Sequence, residues 1–150
     1  MVGLKLTDPQ TDCLELDELW SFVRKTACPA WLWIALYRRT GQVVAYALGD
    51  RSETTCRNLW EALPRAYRRV QCYTDFWAAY SLVIPQEHHT ACGKGTGETS
   101  HVERWNNTLR QRLGRFTRKS LSFSKSWLMH HACLRLFLHR YNLDRALILS

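Results

Sequence analysis

Three apolar runs joined by very short links fill the first third of the chain and commit it to a β-rich start. Leu14 to Val23 interleaves apolar residues with Glu15, Asp17 and Ser21, the two-residue period of a strand. Trp31 to Arg38 is a dense apolar run carrying Trp, Ile and Tyr, which suits a buried strand. Lys25–Pro29 reads as the turn before it, and Thr40-Gly41-Gln42 as the turn after it. Val43 to Leu48 supplies a third strand. Links this short favour an antiparallel meander, because parallel neighbours need a long crossover.

The pattern then changes to alternating helices and strands. Glu53 to Leu63 has helical spacing and stops at Pro64. Val70 to Tyr73 is a short strand ending at Thr74-Asp75, Phe76 to Leu82 a helix closed by Pro85, and Glu87 to Ala91 a fifth strand. Gly93 to Gly97 holds three glycines and reads as a loop. A long helix is expected from Glu98 or Ser100 towards Phe116, and a last one over roughly Ser124 to Tyr141. This order predicts an α/β fold: an RNase H-like mixed five-stranded sheet flanked by helices, with an extra C-terminal helix. With 150 residues the chain suffices for one such domain, expected over 13–150 behind a lead-in segment, 1–12.

Charge narrows the class of partner. Lys plus Arg number 21 against 13 Asp plus Glu, a formal +8, which suits a polyanion such as nucleic acid. The six cysteines are scattered singly, the pattern of reduced thiols in an intracellular protein. His88, His89 and Cys92, or His130, His131 and Cys133, could be assembled into a metal site, but neither set has paired zinc-ligand spacing. No signal peptide or membrane-spanning apolar run is visible, so a cytoplasmic protein without a membrane partner is expected. The seven tryptophans read mostly as packing residues.

Three acids stand where chemistry could use them. Asp17 interrupts the first strand, Asp75 follows the fourth, and Glu103 lies in the first turns of the long helix. In the expected sheet the first and fourth strands are neighbours, so Asp17 and Asp75 would converge and Glu103 could reach them. Three carboxylates suit hard divalent cations, Mg²⁺ or Mn²⁺. Two such ions, about 3.5–4 Å apart, can drive an in-line phosphoryl displacement. Structural readings stand beside this one: Asp75 as a helix N-cap, and Ser100-His101-Val102-Glu103 as a capping box. Asp17 resists such a reading, because Asp is depleted in strands and a buried carboxylate needs a partner.

After Glu103 the next acid is Asp144, while Arg104, Arg110, Arg112, Arg115, Arg118 and Lys119 follow closely. Glu103, Asn106 or Asn107, and Arg110 share a helical face. A carboxylate, an amide and a guanidinium in a row fit a metal ion beside a phosphate chain. A solvated basic face is the competing account.

The segments Leu16-Asp17-Glu18-Leu19-Trp20, Tyr73-Thr74-Asp75-Phe76-Trp77-Ala78-Ala79-Tyr80 and Ser100 to Arg110 resemble, in order and distance, three blocks of the insertion sequence 1 family transposases. Arg112 to Ser126 is similar to the basic segment that follows them, and the likeness runs from about Cys13 to Leu143. The resemblance implies an RNase H-like fold and DDE chemistry, with Asp17, Asp75 and Glu103 as catalytic carboxylates and metal ligands. His101, Asn107 and Arg110 match positions of the third block and are carried over as active-site support, with Asn106 on the same face. DNA contact is expected from Arg104, Asn107, Arg110, Arg112, Arg115, Arg118 and Lys119. The reaction implied is release of 3′-hydroxyls at the element ends, followed by their attack on target DNA. The partners implied are element ends, target DNA and further copies of the chain during synapsis. The chain starts almost at the first catalytic strand, so it is expected to be the downstream reading frame. End recognition would then come from the upstream-frame DNA-binding protein. A metal-dependent nuclease of the same fold, and a non-catalytic DNA-binding regulatory fragment, remain as alternatives.

Overall fold

A computed structural model describes residues 11–116 and 124–149. Its sheet is built from β1 (Cys13–Val23), β2 (Lys25–Tyr37), β3 (Gln42–Gly49), β4 (Gln71–Thr74) and β5 (His89–Ala91), in the order β3-β2-β1-β4-β5. The first three strands pair antiparallel, while β4 and β5 continue parallel to β1. The helices are α1 (Glu53–Ala62), α2 (Ala78–Val83), α3 (Ser100–Arg112) and α4 (Trp127–Leu149). The expected α/β class, mixed five-stranded sheet and C-terminal helix are all present, consistent with an RNase H-like fold.

Strand alternation divides the core into two layers. Leu14, Leu16, Trp33, Ala35 and Tyr37 face α1 and α2, together with Cys56, Leu59 and Tyr80. Leu19, Leu32, Ile34 and Leu36 face the other way, onto Val102, Trp105 and Leu109 of α3 and Leu134 and Leu138 of α4. The period of two thus sends Asp17 and Glu18 to opposite faces of β1. Both faces being buried explains why β2 reads as a continuous apolar run rather than an alternating one.

Several boundaries differ from the sequence expectation, among them the start of α2, at Ala78 and not Phe76. The Lys25–Pro29 turn is instead the start of β2, and the reversal takes place at Arg24, which has φ 65°. Pro29 is tolerated there because this stretch pairs with β1 alone; β3 joins β2 only from Trp31 onward. Helix α3 ends at Arg112 instead of running to Phe116, and Gly114–Phe116 forms a separate 3-10 turn. Strand β5 starts only at His89, after a 3-10 turn over Gln86–His88. Helix α4 starts later and runs farther than expected, to Leu149, past Tyr141.

Asn142 explains part of that extension. Its Oδ1 accepts from the Val43 N–H (3.0 Å) and its Nδ2 donates to the Val43 carbonyl (2.8 Å), so α4 supplies ladder partners to the edge strand. Near the other end of the helix His130 is fully buried, bonded to Ser21 Oγ (2.9 Å) and Ser124 Oγ (2.6 Å) and stacked on Phe116. None of the described helices is long and apolar enough to cross a membrane.

Candidate active site

Parallel pairing of β1 with β4 matches Cys13 to Gln71, Leu14 to Cys72 and Glu15 to Tyr73. Continued by two residues, that register sets Asp75 level with Asp17. The strand ends at Thr74, so Asp75 stands in the crevice at the carboxyl end of β4. Its Oδ1 accepts from the Trp77 N–H (2.9 Å). This is an Asx turn leading into α2, whose N-cap is Trp77 and not Asp75. One oxygen each of Asp17, Glu18 and Asp75 lie within 4.8 Å of one another. Glu103 completes the wall of the same cavity of about 480 Å³, with Asn106, Asn107, Arg110, Arg51 and Lys94.

Helix α3 meets β1 through a carboxylate that sequence reasoning did not single out. Glu15, completely buried, accepts from the backbone N–H groups of His101 (2.9 Å) and Val102 (3.2 Å). It thereby fills the role of an N-cap from a neighbouring strand. Its second oxygen binds Arg38 Nε (2.9 Å) and His101 Nδ1 (2.8 Å). The capping box at Ser100 does not form: the N-cap is Thr99, and Glu103 Oε1 instead accepts from Thr99 Oγ1 (3.3 Å). Glu103 is thus left on the cavity wall.

Asp17 is tied to α3 directly. Asn106 Nδ2 donates to its Oδ2 (2.7 Å), and the Glu18 N–H to its Oδ1 (2.9 Å). Burial pushes the Asp17 carboxyl up to about 7, with Glu18, Asp75 and Glu103 adding repulsion. Glu18 is also raised, chiefly by burial, although Tyr80 and Arg51 hydrogen bonds oppose the shift. The Asn106 Oδ1 is buried and lacks a hydrogen-bond partner among the described residues. Mutually repelling carboxylates and a spare amide oxygen are an all-oxygen donor set, which fits Mg²⁺ or Mn²⁺ better than a softer metal.

The other residues singled out from the sequence divide between places. Asn107 and Arg110 line the acidic cavity. Arg104 and Arg112 line a different hollow, against Tyr141 and Asp144 of α4, together with His101. The basic helix therefore presents two faces, only one of which adjoins the acids. His101 braces Glu15 at the helix start. Arg115 contacts Ser124 Oγ (3.4 Å), and Arg118 and Lys119 lie outside the described residues. His89 hydrogen-bonds Thr74 and His130 its two serines, so neither histidine–cysteine set assembles as a metal site among the described residues.

The model of a protein family described as IS1 transposase matches residues 11–143. This chain belongs to the IS1 transposase family. It is 38% identical over 127 residues to insertion element iso-IS1n protein InsB of Shigella dysenteriae, covering 85% of this chain and 94% of that protein. Insertion element IS1 protein InsB of Shigella flexneri is 37% identical over 118 residues, 79% of this chain and 87% of the relative. Insertion element IS1 4 protein InsB of Escherichia coli K12 is 36% identical over 118 residues, 79% of this chain and 68% of its own. The cavity bounded by Asp17, Asp75 and Glu103 therefore belongs to a transposase, a DNA-processing enzyme.

Glu18, Arg51 and Lys94, all on this cavity, were not singled out from the sequence. The only local sign for Arg51 was its place in Gly49-Asp50-Arg51-Ser52, just before a helix. Glu18 was hidden by parity, since it faces the opposite side of β1 from Asp17.

Proposed function

We propose that this transposase cuts and rejoins DNA phosphodiesters at the cavity formed by Asp17, Asp75 and Glu103, which hold divalent cations, Mg²⁺ or Mn²⁺. The observation that carries the reading is the β1–β4 register, which makes Asp17 and Asp75 level, with Glu103 across the same cavity. Cations there would supply Lewis-acid stabilisation of the reacting phosphate, and a pair of them would suit an in-line displacement. Asn106 orients Asp17 by its hydrogen bond. Glu15 fixes the start of α3 and hence the height of Glu103. Arg110 and Lys94, on the same wall, offset the negative charge of an entering strand. Arg104 and Arg112 lie on the second hollow and would contact DNA farther from the reacting bond. Because Asp17 is raised to about 7, loading the cations requires it to release a proton near neutrality.

The test is joining of a pre-cut, 3′-hydroxyl duplex bearing the element's terminal sequence into plasmid DNA with Mn²⁺, with the element's upstream DNA-binding protein added in a parallel reaction. Wild-type protein is expected to form joined product, while Asp17→Asn, Asp75→Asn and Glu103→Gln form none. Nicking without joining would favour a nuclease. Binding without either reaction in both mixtures would favour a regulatory DNA-binding protein.

A further inference from the structure

Arg51 is held more firmly than a counterion requires. Its Nε (3.1 Å) and Nη2 (2.7 Å) both donate to Glu18 Oε1, which leaves Nη1 outside the pair. The guanidinium lies 3.9 Å from the centroid of the Trp77 ring and 4.8 Å from that of Trp31. The backbone beneath it is equally constrained. Asp50 Oδ1 accepts from the Ser52 N–H (3.2 Å) and Thr55 Oγ1 (2.7 Å). A Cβ on Gly49 would come within 2.7 Å of that Thr55 hydroxyl, so a side chain there would have to displace the group that Asp50 holds.

Glu18 is already satisfied without any cation. Tyr80 donates its hydroxyl to Oε2 (2.6 Å) while Arg51 occupies Oε1. Both of its oxygens are used, so it serves better as the anchor of Arg51 than as a further metal ligand. An arginine fixed along one edge by a carboxylate, and on its faces by indoles, is a preorganised donor for a phosphate oxygen. Arg51 lines the cavity of Asp17, Asp75 and Glu103, where developing phosphoryl charge would need such a donor.

We propose that Arg51 is a phosphate-binding catalytic residue, donating to a non-bridging oxygen of the phosphodiester that reacts beside Asp17, Asp75 and Glu103. The inference rests on reading the cavity as a phosphoryl-transfer site. In the joining step a 3′-hydroxyl oxygen bonds to phosphorus and gives up its proton to solvent. The target P–O3′ bond breaks and the departing 3′-oxygen takes up a proton, so none is gained or lost overall. Arg51 keeps its own proton throughout and supplies hydrogen bonds alone.

The test compares wild type, Arg51→Lys, Arg51→Gln and the double variant Glu18→Gln/Arg51→Gln, each first checked by thermal melting. Two readouts are taken: the single-turnover rate of joining with Mn²⁺, and the salt dependence of affinity for the same duplex in Ca²⁺. Arg51→Gln is expected to slow joining about 10²-fold or more, and the double variant not to recover it. The slope of log affinity against log salt should fall by about one in both. Arg51→Lys should keep the slope and lose rate, because an ammonium retains charge without the fork. Recovery of the double variant to within about threefold of wild type, with unchanged slopes, would show that Arg51 only neutralises Glu18 and would overturn the proposal. Should wild type neither join nor nick the duplex, alone or with the upstream DNA-binding protein, the phosphoryl-transfer reading falls, and the salt slope alone still decides whether Arg51 binds phosphate. Should Arg51→Gln fail to fold, the Arg51→Lys rate and slope decide instead, and a wild-type rate there would sink the proposal.

Discussion

Asp17 and His130 carry opposite pH dependences across almost the same range. Burial and three neighbouring acids hold the Asp17 carboxyl at about 7, above its ordinary 3.8. A carboxyl raised in the fold stabilises while protonated; that contribution is present below about pH 4 and lost as pH rises through about 7. Burial, with Arg115 and His131 adding repulsion, holds His130 at about 4, below its ordinary 6.5. A histidine lowered in the fold stabilises while neutral; that contribution is present above about pH 6.5 and lost as pH falls through about 4. In wild type the two slopes oppose each other, and substitution separates them. Asp17→Asn should stabilise the metal-free protein by on the order of 2 kcal/mol at pH 8 and uncover acid destabilisation. His130→Gln should uncover the loss on the alkaline side. Denaturant melts across pH 4–8 check both, and parallel curves for all three proteins would refute both assignments. Asp17 was legible in the sequence because an acid inside an apolar strand has few structural explanations. Glu15 was not, because its role as a helix cap depends on an element 86 residues away.

Helix α3 shows where local reading of an element succeeds and where it misleads. Its face of Glu103, Asn106, Asn107 and Arg110 was visible from spacing, and these residues do share one cavity. The Ser100–Glu103 capping box was also visible, yet the cap comes from β1. Glu15 takes the N–H groups of His101 and Val102, while those the box would use, of Ser100 and Glu103, bond the Gly97 and Thr99 carbonyls, so the local box has no donor left to serve. Glu15→Gln should therefore leave Arg38 to its Glu98 ion pair (3.0 Å) and weaken the α3 start, costing about 2 kcal/mol through the lost charge-assisted hydrogen bonds. Through the displacement of Glu103 it should also weaken Mn²⁺ binding. Chemical denaturation and Mn²⁺ titration measure the two effects; loss of stability with intact metal affinity would mean that Glu15 does not set the position of Glu103. The extra length of β2 and α4 was not legible for a related reason. The hairpin with β1 draws Lys25–Pro29 into the sheet, and Asn142 pairs with the β3 edge, both long-range effects.

For the whole molecule, the mixed sheet brings three distant segments to one cavity and leaves the basic residues of α3 on two sides of it. The order of strands and helices in the sequence was enough to anticipate this topology, since short links compel the β1–β2–β3 meander and helices carry the chain back to β4 and β5. Opposing parity of Asp17 and Glu18 was implicit in that order, but the partner of Glu18, Arg51, comes from a turn that only the folded sheet brings near. A transposase built this way should bind DNA with affinity that falls steeply with salt, as the proposed phosphate contacts of Arg104, Arg110 and Arg112 would release counterions. Titration against salt checks it, and a flat dependence would refute those contacts.

The central claim is that Asp17, Asp75 and Glu103 jointly hold divalent cations. The most direct measurement is Mn²⁺ binding followed by electron paramagnetic resonance, in the presence of a short DNA duplex, for wild type and for Asp17→Asn, Asp75→Asn and Glu103→Gln. The account predicts binding that strengthens as pH rises through about 7 and weakens about tenfold or more in each variant. Wild-type Mn²⁺ affinity in all three variants would contradict it.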